Sequence, residues 1–119
     1  MTLPLVAHSY LPPLRPLLHN WLADGLIDAV EVCPDQYLQS ERTSDMLLAA
    51  LRMLGAPYAF HFTGLSLGSP DFLRRYDIER TARLLRRFSP ILLSDHLSAN
   101  AVGNFRVAGN IPCVHNDEA

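Results

Sequence analysis

Short apolar runs rich in β-branched and aromatic residues alternate along this sequence with longer stretches whose apolar residues recur every three or four positions. A period of two that keeps giving way to a period of 3.6 constrains a chain severely. Strands separated by single helices lie parallel and are joined by right-handed crossovers. The expected order is strand, helix, strand, helix, strand, helix, strand. The fold class is therefore α/β, either a doubly wound sheet or part of a (β/α) barrel. In both, chemistry gathers at the C-terminal ends of the strands.

The segments are bounded by recognisable punctuation. A weak first strand lies within Pro4–Tyr10. Pro12 and Pro13 suit a loop and Pro16 a first helical turn, so a helix runs from Leu14 to Ala23 and stops at Asp24-Gly25. Ile27–Cys33 reads as the second strand, broken by Pro34-Asp35-Gln36-Tyr37. Thr43 or Ser44 is the expected cap of a second helix that Gly55 closes. Tyr58–Phe62 is the third strand. Ser69 and Pro70 open a third helix to Phe88, with Ile78, Ala82, Leu85 and Phe88 turned inward and an arginine-rich solvated face elsewhere. Pro90–Leu93 is a buried fourth strand ending in Ser94-Asp95-His96. Ala99–Asn104 reads as loop, Phe105–Val107 as a brief strand or hairpin arm, and residues 110–119 as an irregular tail.

His61 and His96 thus finish two neighbouring strands, and Glu31, Cys33 and Asp35 sit near the end of another. Two imidazoles at a shared pole can bind a divalent metal. A histidine in an apolar strand can equally be hydrogen-bonded core, and the residues alone leave both readings open. Glu31 and Asp95 are the nearby carboxylate candidates to line such a site, although Asp95 alternates with His96 and the strand period favours the opposite face for it. His8 follows the first strand and is a candidate to line the same pole. The loop Gly64-Leu65-Ser66-Leu67-Gly68-Ser69 lacks the Gly-Lys-Ser/Thr ending of a phosphate loop and the glycine spacing of a dinucleotide fingerprint. Ser66 and Ser94 belong to no nucleophile motif. His19 falls on a helix, His115 in the tail, and Cys33 reads as a small apolar residue.

Bulk properties exclude several classes. The 119 residues suit one domain with a real core, 49% hydrophobic and 18% charged. The formal charge of −2 and the absence of any long basic run give no case for nucleic acid, although all ten basic residues are arginine. No window has the length of a membrane span, and the first residues lack the features of a signal peptide. Cys33 and Cys113 are far apart, so a reduced, cytoplasmic protein is expected.

The sequence resembles the multinuclear non-heme iron-dependent oxidases, which include the methanobactin-biosynthesis oxidase. The resemblance rests on Ala29-Val30-Glu31-Val32 with Asp35-Gln36-Tyr37-Leu38, on His61-Phe62-Thr63-Gly64-Leu65-Ser66-Leu67-Gly68-Ser69, and on Ser94-Asp95-His96-Leu97-Ser98. It implies a triosephosphate-isomerase-type barrel holding two or three irons at the strand C-termini. The implied reaction is oxidation of cysteine residues in a ribosomally made peptide by oxygen, often with a partner protein that presents the peptide. His61 and His96 match metal-ligand histidines. Glu31 and Asp35 match an acidic stretch that lines the site, and Ser66 lies in the histidine loop.

A (β/α)8 barrel uses roughly 200–250 residues, so the chain is expected to be a partial barrel of about the first four βα units. The family's later metal ligands fall outside it. Three functional readings follow. The chain is the N-terminal half of such an oxidase, completed by a missing C-terminal half or by a second copy. Alternatively it is a truncated, inactive half-barrel with a structural or interaction role. The third reading is a fragment of a divalent-metal sugar-isomerase-like barrel, in which the lack of lysine excludes any lysine-dependent mechanism.

Overall fold

The computed structural model describes residues 4–37, 40–69 and 75–112. Four strands alternate with three helices as the sequence periods require. They are β1 (Ala7–Ser9), α1 (Arg15–Ala23), β2 (Ala29–Val32), α2 (Glu41–Leu54), β3 (Tyr58–Phe62), α3 (Arg75–Phe88) and β4 (Leu92–Asp95). The strands form one sheet in the order β1-β2-β3-β4, every pair parallel. This is the arrangement with which a (β/α) barrel begins, and four strands do not close one.

The register decides what faces what. Val30 pairs with Tyr58, Val32 with Phe60, Phe60 in turn with Leu93, and Phe62 with Asp95. These residues share the face covered by helices, where Val30, Val32, Phe60 and Phe62 are fully buried against Leu18, Leu47, Leu51, Leu84 and Phe88. Phe60 anchors this layer, with its ring 5.3 Å from that of Phe88 and 6.3 Å from that of Phe62. The other face carries Ser9, Glu31, Ala59 and Leu92 in one row, with His61 and Ser94 paired one step further along.

Helix ends follow the sequence in part. The end of α1 is a Schellman turn, with Gly25 at φ +68° and the N–H groups of Gly25 and Leu26 donating to the carbonyls of Leu22 and Trp21. Gly55 closes α2 in the left-handed conformation. The cap of α2 is Ser40, not Thr43 or Ser44: its hydroxyl accepts from the Thr43 N–H at 3.2 Å. Thr43 sits inside the first turn and donates its hydroxyl to the Tyr37 and Ser40 carbonyls, while Ser44 is buried. The expected start of α3 at Ser69-Pro70 lies partly outside the described residues. Its buried stripe is Leu84 and Phe88 with Leu85 beside them, whereas Ile78 is 46% exposed. A one-residue error in the inward position turns a helix by about 100°.

Two further differences concern the end of the described chain. β4 reads as buried in sequence, yet Leu92 is 62% and Leu93 43% exposed, because β4 is the outermost strand of the sheet. Ala99–Asn104, expected as loop, is mostly strand. β5 (Ser98–Val102) and β6 (Phe105–Pro112) form an antiparallel hairpin around Gly103-Asn104. The Gly-Asn pair flanked by Val102 and Phe105 is the two-residue turn signal that identifies it. Among the described residues no helix is long and apolar enough to cross a membrane.

Ser40→Ala is expected to lower the unfolding free energy by about 1 kcal/mol in urea titration, and Ser40→Asp to retain it. A loss of equal size in both variants would show that the cap contributes nothing.

Candidate metal centre

β3 and β4 deliver their histidines to one spot. Register places His61 against Ser94 on the face away from the helices. His96 follows the end of β4 and folds back toward β3, so that the two Nε2 atoms lie 3.1 Å apart. The rings meet nearly edge to face, with centroids 4.8 Å apart at 73°. The Nδ1 of His61 is engaged separately, 2.8 Å from the Ser94 hydroxyl. His61 is half-buried and His96 exposed, so the pair is open to a ligand from one side.

This geometry suits a metal. Two nitrogens about 2.1 Å from one ion and 3.1 Å from each other subtend an angle of roughly 95° at it, close to an octahedral edge. Among the described residues no group of three or more His, Cys, Asp or Glu side chains converges in this way. The histidines therefore form a two-donor edge, and other donors must complete any coordination shell.

Asp35 and Asp95 act beside the pair by holding backbone. The Asp35 carboxylate accepts from the Thr63 N–H at 2.9 Å, and more weakly from the Thr63 hydroxyl and the Cys33 thiol. Asp95 accepts from the Leu65 N–H at 3.1 Å and from the His96 N–H. The Thr63-Gly64-Leu65 segment that leaves β3 is thus fixed by a carboxylate on each side, one from the turn after β2 and one from β4. Burial pushes the Asp95 carboxyl above its ordinary range, and the Asp35 charge adds to this, while the N–H groups of His96 and Leu65 pull it down. A native carboxyl that keeps its proton to higher pH than an unfolded one loses stability as pH rises through the window above 3.8. The two accepted N–H bonds offset that cost. Burial, and then the Asp35 charge, likewise push the Cys33 thiol up, which keeps it protonated and a donor to Asp35.

Of the other residues singled out from sequence, Glu31 lies on the same face as His61, one row back along the strands. His8 does not join the pair. It shares the helix-facing side with Val30, its ring lies 5.2 Å from Trp21, and its Nδ1 lies 2.9 Å from the Ser9 carbonyl. Ser66 is 5% exposed, and its hydroxyl accepts from the N–H groups of Asn100 and Ala101 at 2.9 Å each. It therefore ties the histidine loop to β5. Its left-handed backbone, φ 62°, is held there by these bonds. Asn100 adds a side-chain N–H bond of 2.8 Å to the Thr63 carbonyl, and the Gly68 N–H donates to the Ser98 carbonyl. Thr63, Ser94 and Asn100 are the hydrogen-bonded neighbours of the histidine loop that sequence reasoning misses. For Ser94 the signal was present, since its place in the strand alternation puts it beside His61.

Comparison with known proteins bears on this site. A family model described as "RiPP precursor modification enzyme MbnB/TglH/ChrH" matches residues 14–119, which include both histidines. A UPF0276 protein of Paraburkholderia phytofirmans (strain DSM 17436 / LMG 22146 / PsJN) is 33% identical over 87 residues, 72% of this chain and 28% of the relative. The chain thus spans little more than a quarter of that relative's length.

Gly64 is the residue on which the two-carboxylate clamp can be tested. A Cβ built there would stand 2.8 Å from Asp35 Oδ1, and Asp35 cannot turn away without releasing the Thr63 N–H. Gly64→Ala is expected to cost about 1–3 kcal/mol by urea unfolding. Asp35→Ala removes the obstructing atoms, so Gly64→Ala should cost much less in that background. Additive effects would show that the two residues do not press on each other.

Proposed function

The chain belongs to the RiPP precursor modification enzyme family MbnB/TglH/ChrH, and from that premise we propose that His61 and His96 are ligands of a multinuclear non-heme iron centre. The substrate is the cysteine side chain of a ribosomally made peptide, and oxygen is the oxidant. The observation that carries this reading is the 3.1 Å approach of two Nε2 atoms at the C-terminal pole of a parallel sheet. Iron would supply the means of activating oxygen and of binding a thiolate sulfur.

The residues of this chain contribute position and access. His61 and His96 present two nitrogen donors on the open face. Asp35 and Asp95 hold the backbone next to them through Thr63 and Leu65, and Glu31 lines the face one row back. The exposed side of His96 leaves room for a peptide to approach. Two imidazoles occupy only part of an iron ion's coordination shell. We place the remaining donors on later strands of the family domain, of which this chain is the N-terminal part, or on a second copy. A separate protein that presents the peptide belongs to the same reading, as does a cytoplasmic location, where the Cys33 thiol stays reduced.

A second reading is supported by the edge of the sheet. Leu92 and Leu93 of β4, with Ile91 just before it, are 62%, 43% and 53% exposed, and an uncovered apolar edge strand is a template for association. In that reading the chain is a half-barrel whose role is to bind another polypeptide.

Anaerobic loading with ferrous iron, followed by desalting and metal analysis, separates the two. Wild type is expected to retain iron that the His61→Ala, His96→Ala double variant loses. Equal iron content in both proteins would sink the ligand assignment and leave the interaction reading.

A further inference from the structure

The two histidines are not equivalent, and the difference lies in what each does with its second nitrogen. A neutral imidazole carries one proton, and only the bare nitrogen can bind a metal. For the Nε2 of His61 to serve as donor, its proton must sit on Nδ1 and must find an acceptor there. The structure supplies one. Ser94 Oγ lies 2.8 Å from His61 Nδ1, and the contact is built into the sheet, because Ser94 is the register partner of His61 on the adjacent parallel strand and on the same face. Strand alternation thereby fixes the ring from below, while its Nε2 edge meets His96.

We infer that Ser94 is a positioning residue for the metal centre: its hydroxyl accepts a hydrogen bond from the Nδ1–H of His61 and so commits that ring to binding through Nε2. The inference rests on the metal reading above and assigns within it a role to a residue that is not itself a ligand. It also gives the site an order. His61 is half-buried and oriented in advance by its neighbour on β4, whereas His96 is exposed and lies beyond the end of the strand. His61 is therefore the fixed donor against which His96 and any further ligands adjust. Partners of this kind, which hold the far nitrogen of a ligating imidazole, set both ring orientation and ligand basicity. A serine suits the place because its rotatable hydroxyl can accept from Nδ1 without adding a charge to the face.

The test uses the 119-residue chain with Zn2+ as a diamagnetic probe. Long-range 1H–15N correlation spectra report which imidazole nitrogen is protonated and which is metallated, and competition with a chromophoric chelator reports affinity. In the loaded wild type, His61 is expected to be metallated at Nε2 and protonated at Nδ1. Ser94→Ala should bind Zn2+ about 10- to 100-fold more weakly and show a mixed His61 tautomer. Ser94→Thr, which keeps the hydroxyl, should restore both properties. A Ser94→Ala variant with wild-type affinity and a single Nδ1–H tautomer overturns the inference, as does a threonine variant no better than alanine. Metallation of His61 at Nδ1 in the wild type overturns it without recourse to any variant. His61→Ala separates the two levels of the argument. If that variant binds Zn2+ as wild type does, the metal reading falls together with the inference. If it loses Zn2+ while Ser94→Ala keeps it, only the inference falls.

Discussion

The parallel pairing of β3 with β4 is the constraint on which the rest of the described structure depends. It sets Phe60 against Leu93 on one face and His61 against Ser94 on the other. A slip of one residue would exchange the faces, send the imidazole into the helix layer and bring a phenylalanine to the pole. The register is secured where burial is greatest. Phe60 and Phe62 have no exposed surface, and the ring of Phe88 from α3 closes over Phe60. The Tyr58 hydroxyl adds a polar tie by donating to the Phe88 carbonyl. Hydrophobic burial on one side of the sheet thus fixes polar geometry on the other.

What the packing does not fix, two carboxylates do. A strand end that leads into a glycine-containing loop would ordinarily fray, because its N–H groups have no strand partner. Asp35 and Asp95 take the N–H groups of Thr63 and Leu65 and hold the backbone beside His61 from opposite sides. Acidic residues at the pole of a metal-binding family invite reading as ligands. Here both carboxylates are engaged by main-chain N–H groups, and Asp35 also by the Thr63 hydroxyl and the Cys33 thiol.

The alternation of strands and helices was legible in the sequence, because Val30, Val32, Phe60 and Leu51 each sit at the right place in an unambiguous period. So was the meeting of His61 with His96, since both end parallel strands. Less legible was anything that depended on which of two similar residues faces in. The sequence pattern turned Ile78 inward, where the structure exposes it, and passed over Leu84, which is buried. It offered Thr43 or Ser44 as caps where Ser40 serves. Ser40 is the cap through its local bond to the Thr43 N–H, while Ser44 faces α3 and accepts from Arg87. His8, expected to follow the first strand, lies within β1, and its register with Val30 turns it to the helix-facing side. Of the hairpin, the Phe105–Val107 arm is legible in the sequence and the first arm is not, for another reason. Ser98–Val102 is made of small residues with little strand preference of their own, and its pairing is stabilised by β6 and by bonds from a loop some thirty residues earlier.

Those bonds have an evolutionary implication. Ser66 spends its hydroxyl on the backbone of Asn100 and Ala101, and recognition of backbone is indifferent to the side chains that backbone carries. Apart from Asn100, whose side chain bonds the Thr63 carbonyl, the hairpin can therefore vary in sequence around its anchor while remaining attached at the same point. Ser66 itself has no such freedom, because apolar replacement would strand two donors. Within a lineage of such chains, the surface of the hairpin is free to diverge toward new partners, and the serine beneath it is expected to change slowly.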